Sequence, residues 1–175
     1  MNTGTKVGAV LLSGYLKKSV LKKAVLEIQN CDPLAQIILV IDSGGGDTAP
    51  AFRFVEWMMK FKKERQLTVV AKVYNAGSAA AGIALAADER EMDRDGIFEI
   101  HIGSITIESN EIFEGNRIAR RLVEPVRKWQ DMLHERLAVV SPGIPAHLTT
   151  KLHATNRLRL SPDECLKYGI VQKLF

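Results

Sequence analysis

The stretch Asn75-Ala76-Gly77-Ser78-Ala79-Ala80-Ala81-Gly82-Ile83-Ala84-Leu85-Ala86-Ala87-Asp88 decides how the chain is read. It has the pattern of a strand end, a tight turn of small residues and then an apolar helix. One hydroxyl, Ser78, sits at the joint. A serine there directs its oxygen to the mouth of a sheet. The first backbone N–H groups of the following helix lie beside it, at the positive end of the helix dipole. Such a joint suits a nucleophile next to an oxyanion site. The same small residues equally suit a helix packed closely on a sheet, so the flanking chain has to separate the two.

Immediately upstream, Leu67-Thr68-Val69-Val70-Ala71-Lys72-Val73 predicts a strand. Before it, Phe52, Val55, Trp57, Met58, Met59 and Phe61 give a helix a broad apolar surface, expected to serve as core or subunit interface. Lys60, Lys62, Lys63 and Arg65 close that helix, where cations favour its negative end. Asp47 or Thr48 caps it and Pro50 fits its first turn. The preceding run, Ile37-Ile38-Leu39-Val40-Ile41, is continuously apolar and predicts a strand covered on both faces, as in a parallel sheet. Between run and helix stand Asp42-Ser43-Gly44-Gly45-Gly46-Asp47. Three glycines after a buried strand are costly unless the backbone needs positive φ or a close approach.

The N-terminal part predicts a strand over Val7–Leu12, broken by Ser13-Gly14, and an amphipathic helix from Leu16 to Asn30 ended by Asp32-Pro33. Downstream of Asp88, Glu89 to Gly96 reads as a charged turn, Ile97 to Ile102 as a strand, and Ile105-Thr106-Ile107 as a short further strand. Glu111 to Val140 is helical in pattern, with a kink or division expected at Pro125. Ser141-Pro142-Gly143-Ile144-Pro145 is a break, followed by a short helix from Ala146 to His153. Ser161-Pro162-Asp163-Glu164 is a capping box that starts a helix running to Tyr168 and ended by Gly169. Strand and helix alternate through the first hundred residues, so right-handed βαβ crossovers are expected. Both special turns fall at carboxyl ends of strands, where open α/β sheets form their sites.

Composition sets the outer bounds. At 175 residues, with 46% hydrophobic and 25% charged residues, the chain predicts a single α/β domain over 1–175 with one substantial core. No apolar run approaches the roughly 20 residues of a membrane span. Met1 to Lys6 lacks a basic region followed by an apolar stretch, so a secretory leader is not expected, and the two cysteines, Cys31 and Cys165, have no metal or redox spacing; a reducing cytoplasm fits best. The net charge of +4 comes from dispersed lysines and arginines, so neither nucleic acid nor membrane is an expected partner. No His/Cys/Asp/Glu cluster has metal-ligand spacing, and neither a metal nor a cofactor is expected. His134, His147 and His153 fall on predicted helices as surface or core fillers.

Four motifs in order resemble the proteolytic subunit of the Clp protease family, within the Clp/crotonase superfamily. Ile41-Asp42-Ser43-Gly44-Gly45-Gly46 is similar to that family's Ile-Asn-Ser-Pro-Gly-Gly turn, and Ala76-Gly77-Ser78-Ala79 to its Ala-Ala-Ser-Met nucleophile turn. Ile100-His101 resembles its Ile-His motif. Leu160 to Val171 resembles its closing helix and Tyr-Gly-Leu-Val strand. The resemblance implies a spiral of ββα (βαβ) units with a mostly parallel sheet flanked by helices. It also implies a serine peptidase acting through an acyl-enzyme on Ser78 with His101 as base, and an oxyanion hole of Gly45 and Ala79 N–H groups with Gly46 shaping the loop. Peptides or unfolded protein would be the substrate and a homo-oligomeric ring the assembly. With little chain before the first strand, an ATP-dependent unfoldase partner is in doubt.

The family places an aspartate before the closing helix. Counted from Gly143 that position is Asn156; counted back from Ser161 it is Arg157. Asn156, able to accept the His101 N–H, is carried as the third site residue, but it does not offset an imidazolium charge. Gly44 stands where the family has proline, and Tyr74 and Asn75 where it usually has glycine. Two other functions compete. A catalytically weak or inactive subunit with an assembly role follows from the missing aspartate. A crotonase-type acyl-CoA enzyme follows from the glycine- and alanine-rich run Val69 to Asp88, although that branch's Ala-Gly-x-Asp-Leu element is absent. A lysine base in place of His101 has no obvious candidate.

Overall fold

The structure is a computed structural model and describes residues 7–30, 36–101, 124–155 and 157–175. Strand β1 (Val7–Leu16) leads through α1 (Lys18–Asn30) to β2 (Gln36–Gly46), and α2 (Thr48–Arg65) leads to β3 (Thr68–Gly77). Helix α3 (Ala79–Leu85) is followed by β4 (Glu89–His101). After α4 (Glu124–Val140) and α5 (Ala146–Thr155) come β5 (Arg157–Leu160), α6 (Pro162–Lys167) and β6 (Lys173–Leu174). The six strands form one sheet in the order β1-β2-β3-β4-β5, with β6 also pairing with β4. β1 to β4 are parallel, as the strand–helix alternation and the apolar run Ile37–Ile41 predict, and β5 alone runs antiparallel to β4. The α/β class and the mostly parallel, helix-flanked sheet expected from the sequence are what is found.

The core follows from alternation. Val10 and Leu12, Ile37, Leu39 and Ile41, then Val69, Ala71 and Val73 all turn one way and are buried. Helix α3 crosses β1 to β4, α1 packs on β1, and α2 packs against α1, α3 and α4. Every residue of α3 is buried, so its alanines and Gly82 are sized for contact. A methyl on Gly82 would stand 2.3 Å from the Trp129 ring of α4, itself buried.

Three elements depart from the sequence expectation. Ser13-Gly14 does not end β1: the strand continues to Leu16 through a register shift between Ser13 and Tyr15, with Gly14 at φ +65°. The glycines after Ile41 likewise belong to β2, which pairs as far as Gly46 with Leu16. Glu89 to Gly96 is not a turn but the first part of β4. Arg90 and Met92 point inward there while β3 supplies the partner strand. Only Asp93 to Gly96 loops out, so that Met92 pairs with Val73 and Ile97 with Asn75.

Arg90 is 3% exposed and is kept by two carbonyls: its Nε donates to Ile170 O and its Nη1 to Ala87 O, both at 2.6 Å. Burial lowers its pKa from the ordinary guanidinium value, opposed by the nearby charge of Asp88. Pro125 lies in the first turn of α4, a place proline tolerates. The expected stretches Ile105-Thr106-Ile107 and 111–123, and the Asp32-Pro33 helix end, fall outside the described residues. The capping box at Ser161 is formed in full, with Gly169 at φ +75° after the helix.

Candidate active site

The glycine turn that closes β2 is built by a buried serine. Ser43, 3% exposed, donates from Oγ to Gly14 O at 2.5 Å and accepts the Gly45 N–H at 3.0 Å. One hydroxyl thus ties the irregularity in β1 to the glycine turn. Gly45, at φ +107°, has no room for a side chain: a methyl would lie 2.6 Å from Gly77 O and 2.7 Å from Ser78 Cβ. Gly46 is held as tightly against the Leu16 backbone, 2.5 Å from where its own methyl would be. Asp47 caps α2 by position, but its side chain makes no cap bond. Its Oδ1 instead accepts the Tyr15 hydroxyl at 2.8 Å, and that bond raises the phenol's pKa above its usual value.

The turn after β3 carries the strain. Ser78 sits at φ +52°, ψ −118°, one of two described non-glycine residues with positive φ. Its N–H donates to Glu99 O at 2.8 Å, and its carbonyl accepts the Gly82 N–H at 3.2 Å. These bonds pin the serine between strand β4 and helix α3. A serine on a sharp strand-to-helix turn has its hydroxyl lifted clear of the sheet. Strain of this kind costs about 1–3 kcal/mol and persists where the surroundings over-determine it. Ala79 follows as the first residue of α3, buried, with an N–H that has no partner within its helix by the geometry of helix starts.

His101 ends β4 and is half-buried. With Ser78, Gly14, Tyr15, Gly44, Gly45, Gly46 and Thr48 it lines a cavity of about 450 Å³. Residues 23 positions apart in sequence are therefore brought to one concavity. A second, smaller cleft on the far side of His101 is lined by Gln130, Leu133, His134, Leu137 and Leu152. A third, of about 410 Å³, lies behind the glycine turn, with Asp42, Asn75, Glu99 and Arg159 in its wall.

Of the sequence-predicted site residues, Ser78, His101, Gly45 and Gly46 face the same cavity, and Ala79 begins the helix beside it. The Gly45 N–H is engaged by Ser43 in this conformation. Asn156 lies outside the described residues. Its neighbour Arg157 is the register partner of His101 across the β4–β5 pair. Sequence reasoning missed Ser43, Tyr15, Thr48 and Glu99. Only Ser43, a polar residue directly after a buried strand and before glycines, carried a local signal.

Cys165 offers no rival nucleophile: it is fully buried, and desolvation pushes its thiol up to about 12. Among the described residues no group of three His, Cys, Asp or Glu side chains is placed to hold a metal ion, and no helix is long and apolar enough to cross a membrane.

No family model and no curated protein sequence matches the chain. Among solved structures, it superposes on a point mutant of ClpP1 from Listeria monocytogenes with a TM-score of 0.71. The match covers 96% of this chain and 91% of that one, at 18% sequence identity. The chain has a ClpP-like fold.

Proposed function

We propose that this protein, acting as one domain over residues 1–175, is a serine peptidase that cleaves peptide bonds through an acyl-enzyme on Ser78. The observation that carries this reading is the shared cavity: Ser78, in a strained turn, and His101 line it together with the glycines of the neighbouring turn. In the proposed reaction the Ser78 oxygen attacks the scissile carbonyl carbon and His101 takes the hydroxyl proton. The proton then passes to the leaving amine as the C–N bond breaks. Water, deprotonated by His101, hydrolyses the ester and restores the serine.

The developing oxyanion would be met by the N–H groups of Ala79 and Gly45, within the loop shaped by Gly46. Gly45 serves only after its N–H turns away from Ser43 Oγ, a rotation that the missing Cβ permits. Asn156 remains a proposed orienter of His101. Short peptides are the proposed substrate and a homo-oligomeric ring in the cytoplasm the proposed form; this chemistry calls on no cofactor.

A second reading, an assembly subunit that does not cleave, is favoured by one observation. The position paired with His101 is a cation, Arg157, where a carboxylate would offset an imidazolium. Fluorogenic peptide substrates separate the two. The peptidase predicts turnover by the parent protein that disappears in Ser78→Ala; absence of turnover at all concentrations of protein supports the assembly subunit.

A further inference from the structure

We propose that a substrate chain crosses the glycine turn at Gly44, so that the Ser78 cavity and the cavity behind the turn are two subsites of one binding path; this rests on the peptidase reading of Ser78. The two cavities, of about 450 Å³ and about 410 Å³, share Gly14 and Gly44 in their walls. Their common boundary therefore contains two residues without side chains. Gly44 is the glycine of the turn that the fold itself does not demand. A methyl on Gly45 or Gly46 would overlap the backbone of Gly77 or Leu16. Gly14 lies at φ +65°. Gly44 has neither reason: its φ is not positive, and nothing stands within 4 Å of the place a methyl would take. Alternation along β2 puts it on the exposed face with Asp42, away from the buried Ser43 and Gly45. Glycine weakens a strand through chain entropy, and a strand keeps one where a ligand or another backbone comes close. The space over Gly44 belongs to both cavities, so the backbone that approaches it is that of a molecule reaching from one into the other.

The far cavity then receives a side chain near the cleaved bond. Its wall contains Asp42, Asn75, Glu99 and Arg159. Asn75 Nδ2 donates to Asp42 Oδ1 at 2.8 Å, which leaves the amide oxygen of Asn75 and the second oxygen of Asp42 as acceptors. Glu99 is offset by Arg157, whose Nε lies 3.5 Å from Oε1. Arg159, opposite Glu99 across the β4–β5 pair, brings donors only. An ammonium entering here would meet Arg159, a carboxylate would meet Asp42, and an apolar group would take water from both. A neutral amide carries donors and an acceptor together and answers both sides of the wall, so glutamine or asparagine is the substrate residue that this cavity fits.

The test is binding, free of turnover. Fluorescein-labelled octapeptides with one glutamine stepped along them are titrated by anisotropy into the full chain carrying Ser78→Ala, with and without Gly44→Ala. Gly44→Ala is expected to weaken binding of the best peptide by about 10-fold or more, because a methyl stands where a backbone must come close, while the urea midpoint stays level or rises. At one position, replacing glutamine by leucine, lysine or glutamate should weaken binding by about 5–10-fold. Asn75→Leu, a change in the far wall alone, should erase that preference. Equal binding with and without Gly44→Ala overturns the proposal, and so does a lowered midpoint, which would make Gly44 structural. It is overturned as well if no position prefers glutamine, or if the preference survives Asn75→Leu. Cleavage of the same peptides by the parent tests the peptidase reading separately: peptides bound across Gly44 but never cut would sink the acyl-enzyme on Ser78 and leave the path standing.

Discussion

The turn that closes β2 has three glycines and no non-glycine residue at positive φ, whereas the turn after β3 has one serine and holds it at φ +52°. Both end parallel neighbouring strands and both lead into helices. The first achieves close approach by omitting atoms: Gly45 leaves 2.7 Å between a would-be methyl and Ser78 Cβ. The second keeps its side chain and pays in backbone strain, offset by bonds to Glu99 O and from Gly82 N–H. On the proposed function, the first turn is scaffold and the second presents its side chain for chemistry. A residue retained where glycine would be easier is retained for its side chain. The reasoning runs from an observed outlier to a function.

Substitutions that exchange the two solutions test this contrast. Gly45→Ala should have the largest effect. It adds positive-φ strain to overlap with the backbone at Gly77, so a loss of about 4 kcal/mol is expected in urea unfolding, with displacement of Ser78. A loss under about 1 kcal/mol would mean the two turns are not in rigid contact. Ser43→Ala is next. It removes the hydroxyl that bridges Gly14 O and Gly45 N–H and leaves buried backbone groups without a partner, costing about 2 kcal/mol. Fast hydrogen exchange at Gly45 should accompany it. Ser78→Gly should have the smallest effect, of opposite sign: relief of strain exceeds the added unfolded-state entropy, and the fold gains about 1 kcal/mol while the proposed nucleophile is lost. A destabilised Ser78→Gly would show that the serine side chain is structural.

The same two turns show how much was legible in the sequence. The glycine run and the small-residue joint were visible because rare residue choices announce unusual backbone. The parallel core was visible in continuous β-branched runs. Glu89 to Gly96 was misread because hydropathy counts Arg90 as a surface residue, whereas the fold supplies two carbonyls to bury it. Ser13-Gly14 was misread because a bulge and a strand end share the same residues.

At the site, Ser78 and His101 stood out by type and order. Glu99 did not, because it meets the site through its carbonyl, which accepts the Ser78 N–H, and a main-chain contact leaves no mark in local sequence. The choice between Asn156 and Arg157 could not be made by counting. Register settles only that Arg157 is the residue opposite His101.

The central claim is tested most directly by incubating the parent protein, Ser78→Ala and His101→Ala with a fluorophosphonate and mapping the adduct by peptide mass spectrometry. The account predicts one adduct on Ser78 in the parent, none in Ser78→Ala, and labelling slowed by about 100-fold or more in His101→Ala. An unlabelled Ser78 in the parent, or equal labelling with and without His101, would contradict it.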